Sequence, residues 1–365
     1  MTSIPALALK GPDHVVAALP FLLGFTPHES VVVVWTTADR VLLTQRVDLP
    51  ASDASIAPHA FARELVRPLE GHRPEAAILI IIGSPDSPSE RPAGAVVVAP
   101  GAGAASSLLT IPNTELATAI MESIVGMGIE LRDALYVHGG HFWSYRCDSE
   151  CCPPEGNPID PVAATAVAAS FAVRGVSVME SREALVAALE ADADGVARIE
   201  PLIVDREIEI DALLGTSHSP ALEAWRDVHI EWVHELVISG SCPSDTDTVT
   251  LLVALCDVRV RDTLLWHIAR TEHRYGCADV LLSATRLAPN GYVAPVATCA
   301  ALACWLLGDG ARASISIARA LNDDPEYSLA LMIGASLAAG LPPAAWGEVM
   351  AELTLDDCRG RPPAA

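Results

Sequence analysis

The sequence predicts an α/β unit, a mixed sheet with flanking helices, followed by an all-α, TPR-like helical unit. Three observations lead there. Through residue 190, short runs rich in β-branched residues alternate with segments of helical period, the pattern of helices packed on a sheet. One run, Ala76 to Ile82 (AAILIII), is wholly apolar, as a strand covered on both faces requires. Beyond residue 215 every strong signal is helical. The expected units are residues 1–205 and 215–365, with the weakly patterned stretch from Asp192 to Asp211 as the boundary.

The elements follow in order. Pro12 to Leu23 reads as a helix opened by Pro-Asp and closed by Gly24. Ser30 to Trp35 is a buried strand, and Val41 to Val47 a second one after a turn at Ala38-Asp39. Pro58 to Leu69 is helical, Ala76 to Ile82 is the central strand, and Ala95 to Ala99 is another. Asn113 to Met127 is a helix with Asn113 or Thr114 as its cap. Asp133 to His138 and His141 to Cys147 are strands, and Pro161 to Val173 and Ser181 to Leu189 are helices. The polar, proline-rich segment Ser84 to Pro92 is an exposed loop. Gly101-Ala-Gly103-Ala-Ala-Ser106 superficially matches a dinucleotide fingerprint. It lacks the third glycine and a helix start at the glycines, so it reads as a loop.

In the second half, Ala284, Leu287 and Pro289 return 36 residues later as Ala320, Asp323 and Pro325, matching at the alanine and the proline. Ala301, Ala313 and Ile317 occupy the small and apolar positions where a helical hairpin packs closely, with Gly308-Asp309-Gly310 as its turn. Ala301 to Pro325 is therefore a TPR-like hairpin, and the copy ending at Pro289 is a poorer one. His267 and His273 fall on opposite sides of a helix and read as surface residues.

Composition limits the function classes. The net charge is −23, and Lys10 is the single lysine among 23 bases. Such a chain repels phosphate backbones, which argues against nucleic-acid binding. The longest apolar stretch, Val296 to Leu307, spans 12 residues, short of the ~18–20 a membrane helix needs. No export signal is visible, so a soluble cytoplasmic protein is expected. Nine cysteines, an odd number, oppose a secreted disulfide framework. Cys256, Cys277, Cys299 and Cys304 lie in apolar helical patterns and read as small buried side chains.

Distinctive chemistry concentrates in Tyr136 to Pro158, YVHGGHFWSYRCDSECCPPEGNP. Gly139-Gly140 between two strand-like runs marks a two-residue hairpin turn. It pairs His138 with His141 and Tyr136 with Trp143. Tyr136, His138, His141, Trp143, Tyr145 and Cys147 then share one face, with Ser144 on the other. His138, His141, Trp143, Tyr145 and Glu155 form the candidate ligand or catalytic site. Cys147, Cys151 and Cys152 form a separate candidate metal site, for which zinc fits thiolate ligands. A fourth ligand would come from His14, His28, His59 or His72, none of which the sequence selects. A straight strand puts His141 about 20 Å from Cys147 at ~3.3 Å per residue, too far to share one metal. Two other readings of the cysteines stand beside zinc: a redox pair of Cys147 with Cys151 or Cys152, and a tight structural turn locked by Pro153-Pro154 and Gly156.

Three segments carry a family resemblance: Leu19 to Asp48 (LPFLLGFTPHES to RVD), Trp143 to Pro158 (WSYRCDSECCPPEGNP), and Thr285 to Pro325 with the helix that follows. Together they resemble the actinobacterial domain of unknown function 4192 family. The CxxxCCPPEG element is the most specific match. The resemblance implies the extent of the chain and the weight of the cysteine turn, and no activity, cofactor or substrate. Three functions remain in view: a ligand- or protein-binding scaffold whose helical half takes a protein partner, an enzyme using the histidine and aromatic face, and an α/β unit held by structural zinc.

Overall fold

The computed structural model describes residues 9–38, 40–50, 56–69, 74–84, 93–97, 106–147, 153–173, 176–214 and 220–360. The chain divides into two compact units, Met1–Arg182 and Glu183–Ala365.

In the first unit the described strands are β1 (Ser30–Thr37), β2 (Arg40–Asp48), β3 (Ala76–Ile82), β4 (Ala93–Val97), β5 (Ser106–Thr110), β6 (Glu130–His138), β7 (His141–Ser144) and β8 (Asn157–Pro158). The helices are α1 (Pro12–Leu23), α2 (Pro58–Val66), α3 (Thr114–Gly126) and α4 (Pro161–Ala172). Six strands form one mixed sheet in the order β2-β1-β3-β6-β7-β8, and β4 and β5 form a separate antiparallel pair. Only β3 and β6 run parallel within the sheet. A parallel pair needs a long crossover, and here β4, β5 and α3 supply it.

Burial follows strand alternation. Val31, Val33, Trp35, Ala77, Leu79, Ile81, Ala134 and Tyr136 make one face and pack with Leu65 of α2 and Ile120 of α3. Val32, Val34, Ile80 and Leu135 are as deeply buried on the other face. The unbroken apolar runs Val31 to Trp35 in β1 and Ala76 to Ile82 in β3 are thus the mark of strands covered on both sides. Gln45 of β2 ties sheet to helix: its Oε1 accepts from Trp35 Nε1 at 3.1 Å, and its Nε2 donates to the Leu65 carbonyl at 2.8 Å. α1 and α4 join through stacked Phe21 and Phe171, ring centroids 4.7 Å apart.

The second unit is helical throughout its described residues: α5 (Arg182–Ala188), α6 (Ala193–Leu214), α7 (Pro220–Ser239), α8 (Asp245–Ala254), α9 (Val258–Arg270), α10 (Arg274–Leu287), α11 (Val293–Leu306), α12 (Gly310–Asp323), α13 (Ser328–Ala338), α14 (Pro343–Ala351) and α15 (Leu355–Cys358). The stretch from Asp192 to Asp211, weakly patterned in sequence, lies almost wholly in the 22-residue α6, which passes through Pro201 and buries Ile199 and Ile203. The predicted hairpin is α11 and α12, with the turn at Leu307 to Asp309 and the α12 amides capped by Asp309. α11 is buried from Val293 to Trp305. It is the central rod of this unit, and its lack of charged residues follows from that position, with the buried Thr298 hydroxyl donating to the Ala294 carbonyl at 2.6 Å.

Several expectations change. Ser106, the last residue of the stretch read as a loop, opens a strand that runs to Thr110 because its backbone pairs with β4. Asn113 adopts φ 59° and makes no side-chain cap, while Thr114 Oγ1 donates backward to the Ile111 carbonyl at 2.6 Å. Cys277, Cys299 and Cys304 are buried as expected, but Cys256 is exposed beyond the end of α8. His267 is not a surface residue: its ring lies 3.9 Å from that of His234 on α7. Burial first, then His234, lower its pKa to about 4.

Candidate functional site

The site is built on the β6–β7 hairpin. Gly139 and Gly140 both have positive φ, 57° and 78°, as a type I′ turn needs. Register follows: His138 opposes His141, Tyr136 opposes Trp143, and Leu135 opposes Ser144. Tyr136 and Trp143 are fully buried. The Tyr136 ring lies 6.4 Å from His138, 6.0 Å from Trp143 and 6.4 Å from Tyr145. Strand alternation therefore gathers the predicted aromatic face. Ser144 lies on the other face, where its Oγ donates to Asp133 at 3.3 Å.

The predicted strand from His141 to Cys147 stops at Ser144. Ser144 Oγ accepts from the Arg146 amide at 3.2 Å, and the Ser144 carbonyl accepts from the Cys147 amide at 3.4 Å, so the chain turns. The Arg146 guanidinium reaches back to the carbonyls of Leu131 and Arg132 and pins this turn to β6. The strand assumed to run straight from His141 to Cys147 is therefore broken after Ser144.

After the turn the chain folds over Trp143. Its Nε1 donates to the Pro154 carbonyl at 3.3 Å, and the Gly156 amide donates to Pro153 at 2.8 Å. Gly156 has φ +82°, and a Cβ there would meet two indole carbons of Trp143 at 2.6 Å. Glycine is required on both counts. β8 then pairs Asn157 with Phe142 and Pro158 with His141, and the Ile159 amide donates to Gly140. The Pro-Pro-Glu-Gly element is thus the clamp on the buried tryptophan.

The individual groups differ in what they can do. Tyr145 donates its hydroxyl to the Pro112 carbonyl at 2.6 Å, and burial, followed by the neighbouring Tyr136, holds its pKa well above the ordinary phenol value. It is a neutral donor with a structural partner. His141 Nδ1 lies 3.0 Å from the Gly139 carbonyl, so that nitrogen carries the proton. Glu155 is exposed at the turn. Cys147 is half-buried and disulfide-bonded. Cys151 and Cys152 lie outside the described residues. A disulfide sulfur is not a thiolate, so Cys147 offers zinc a ligand only after reduction. Among the described residues no group of three or more His, Cys, Asp or Glu side chains could hold a metal ion.

His138 stands apart. It ends β6, beside the end of β3, where the Gly83 amide donates to the Val137 carbonyl at 3.0 Å. It is 9 % exposed, and its Nδ1 is buried with no hydrogen-bond partner among the described residues. His14 Nδ1 on α1 is a second such nitrogen, not singled out by the sequence as anything more than one zinc-ligand option among four. Its neighbour Asp13 accepts from the Asp160 amide at 3.0 Å, one residue beyond the bond from Ile159 to Gly140. The first turn of α1 is thereby tied to the tip of the hairpin. No local sequence signal points to that connection, because it joins positions 147 residues apart.

No described helix is long and apolar enough to cross a membrane. No curated protein and no solved structure is significantly similar to the chain. The family model for the domain of unknown function (DUF4192) matches residues 12–344, from the first turn of α1, through the whole hairpin and its clamp, to the start of α14. The segments that carried the resemblance lie inside that match, and the chain belongs to the DUF4192 family.

Proposed function

We propose that the protein binds a small polar ligand through its α/β unit, at the carboxyl edge of β3 and β6 beside His138, and that its helical unit takes a protein partner. One observation carries the ligand site: a histidine more than nine-tenths buried whose Nδ1 has no partner among the described residues. Leaving such a nitrogen unpaired costs about 1–3 kcal/mol. A bound donor or acceptor would recover it. The position agrees with the rule that open α/β sheets bind ligands at the carboxyl ends of parallel strands, and β3 and β6 are the parallel pair. Binding is favoured over catalysis because the described residues of the hairpin present no activated nucleophile: the Tyr145 phenol is held protonated and Cys147 is in a disulfide.

Native mass spectrometry of the full chain, desalted after incubation with a small-molecule metabolite extract, tests this. The expected result is a retained adduct in the wild type that is lost in His138→Phe, with an unchanged circular dichroism spectrum. No adduct in the wild type, or one that His138→Phe retains, refutes the site.

A further inference from the structure

Two arginines of the helical unit meet at one corner. Arg286 lies near the end of α10 and Arg319 in the second half of α12. Arg319 Nη1 donates to the Leu189 carbonyl at 2.6 Å and its Nη2 to the Thr285 carbonyl at 3.0 Å. Arg286 Nε donates to the Glu190 carbonyl at 3.3 Å. Leu189 and Glu190 are consecutive residues just past α5, and Thr285 is next to Arg286. These bonds bring both guanidinium groups to the start of the α5–α6 connection. The Asp192 amide donates to the Arg286 carbonyl at 2.9 Å and fixes the same corner from the α6 side. Carbonyls just past a helix end attract a cation, which accounts for one arginine there. The second adds repulsion between like charges.

The electrostatics of the corner differ from the rest of the unit. Arg198, Arg226, Arg259, Arg261, Arg312 and Arg359 each hold a carboxylate at ion-pairing distance. Among the described residues no carboxylate comes that close to Arg286 or Arg319, although the chain has 46 acids against 23 bases. Glu190 and Asp323 act on Arg319 only from farther off, and the Asp323 oxygens already accept from the Gly291 and Ala294 amides. Burial first, then the Arg286 charge, lower the Arg319 pKa, and those two acids oppose the shift. Arg319 is half-buried and Arg286 exposed, so the pair can be reached from solvent. A guanidinium has five N–H donors. Arg319 uses two of them on carbonyls and Arg286 one, and the others have no partner among the described residues.

Planar forks with donors left over and no internal anion match the oxygens of a phosphoryl group, which arginine binds bidentately. A dianion between them replaces one repulsion with two attractions. The geometry points to an oxyanion site at Arg286 and Arg319 that takes a phosphate dianion, free or as the monoester of a small molecule. A nucleic acid does not fit, because a net charge of −23 repels a polyanion. A single small dianion is screened from charges beyond ~8–10 Å. The site shares no residue with the one at His138.

The probe is inorganic phosphate, titrated into the full-length protein with sodium chloride withdrawn to hold ionic strength constant. The arginine Nε–Hε signals are followed by NMR. The expected result is a saturable shift of the Arg286 and Arg319 signals, half complete near ~1 mM. Methyl phosphate should act on the same two signals, and the tighter of the two ligands tells the free ion from the ester. Arg286→Gln should weaken phosphate about 10-fold or more, the loss expected from one hydrogen bond to a charged group, with an unchanged circular dichroism spectrum. Arg319→Gln would also remove the ties to Leu189 and Thr285, so the exposed Arg286 carries the test. No saturable shift by about 50 mM phosphate, a concentration that would fill even a ~5 mM site, overturns the proposal. So does an equal response in Arg286→Gln, or a shift shared by all arginine signals, which would be general ion binding in place of a site.

Discussion

Replacing Gly156 by alanine adds one methyl group at the point where the backbone lies on the Trp143 ring. Two costs arise. The residue holds φ +82°, where an L side chain costs roughly 1–2 kcal/mol. The new Cβ would sit 2.6 Å from two indole carbons and 3.0 Å from His141 Cβ. Trp143 is fully buried, so the ring cannot step aside without disturbing Tyr136, and overpacking of this kind costs about 1–3 kcal/mol. Together the loss is about 3 kcal/mol, and at ~2–4 °C per kcal/mol for a unit of this size the α/β transition should fall by about 10 °C. Differential scanning calorimetry resolves that unit from the helical one, and hydrogen exchange on peptides covering β6 and β7 reports where protection is lost. Gly139→Asn is the control. Its φ is +57° and a Cβ there meets nothing within 4 Å, and asparagine tolerates that conformation, so the shift should be small. A fall of less than about 2 °C in Gly156→Ala, below what 1 kcal/mol produces, would refute the clamp and its contact with Trp143.

Trp143→Ala should cost about 3–5 kcal/mol in the same calorimetric transition, the usual price of emptying a buried tryptophan site, and free the Pro153 to Gly156 turn to exchange. Stability of the helical unit should depend on pH through His267. Its pKa falls from 6.5 unfolded to about 4 folded, so the neutral ring stabilises the fold above pH ~6.5, and this contribution drains away as pH falls from there through about 4. Because the ring is half-buried, solvent screening holds the loss to about 1–2 kcal/mol. His267→Gln should flatten the dependence of melting temperature on pH in that window, and an unchanged slope would count against the His234 stack. Thiol titration of the denatured, unreduced protein should find two fewer thiols than the nine cysteines in the chain. Protein purified without a metal-affinity step should take up zinc only after reduction, and a stoichiometric zinc content before reduction would return Cys147 to the metal reading.

Much of the α/β unit was legible because its signals are local. Ala76 to Ile82 is a strand with those limits, and Pro12 to Leu23 is a helix with those limits, since apolar runs and Pro/Gly punctuation act over a few residues. The hairpin register was equally legible, for two glycines with positive φ leave one way to pair the flanking strands. Misjudgements came where a distant partner decides. Ser106 opens a strand in place of closing a loop because β4 lies beside it. His267 is half-buried because α7 places His234 on it. The strand after His141 ends at Ser144 because Arg146 reaches back to β6.

The cysteine turn shows the same division. By itself the sequence determined that CxxxCCPPEG follows a histidine hairpin, that the aromatic residues share a face, and that a chain carrying this element resembles one family. The tertiary structure alone decided that the Pro-Pro-Glu-Gly part clamps Trp143, that Cys147 is disulfide-bonded, and that His138 rather than His141 has the unpartnered nitrogen. Side-chain alternation is a property of one strand, readable along the chain. Burial, oxidation and hydrogen-bond satisfaction depend on what packs against that strand, and the atoms that do so are brought there by residues far away in sequence.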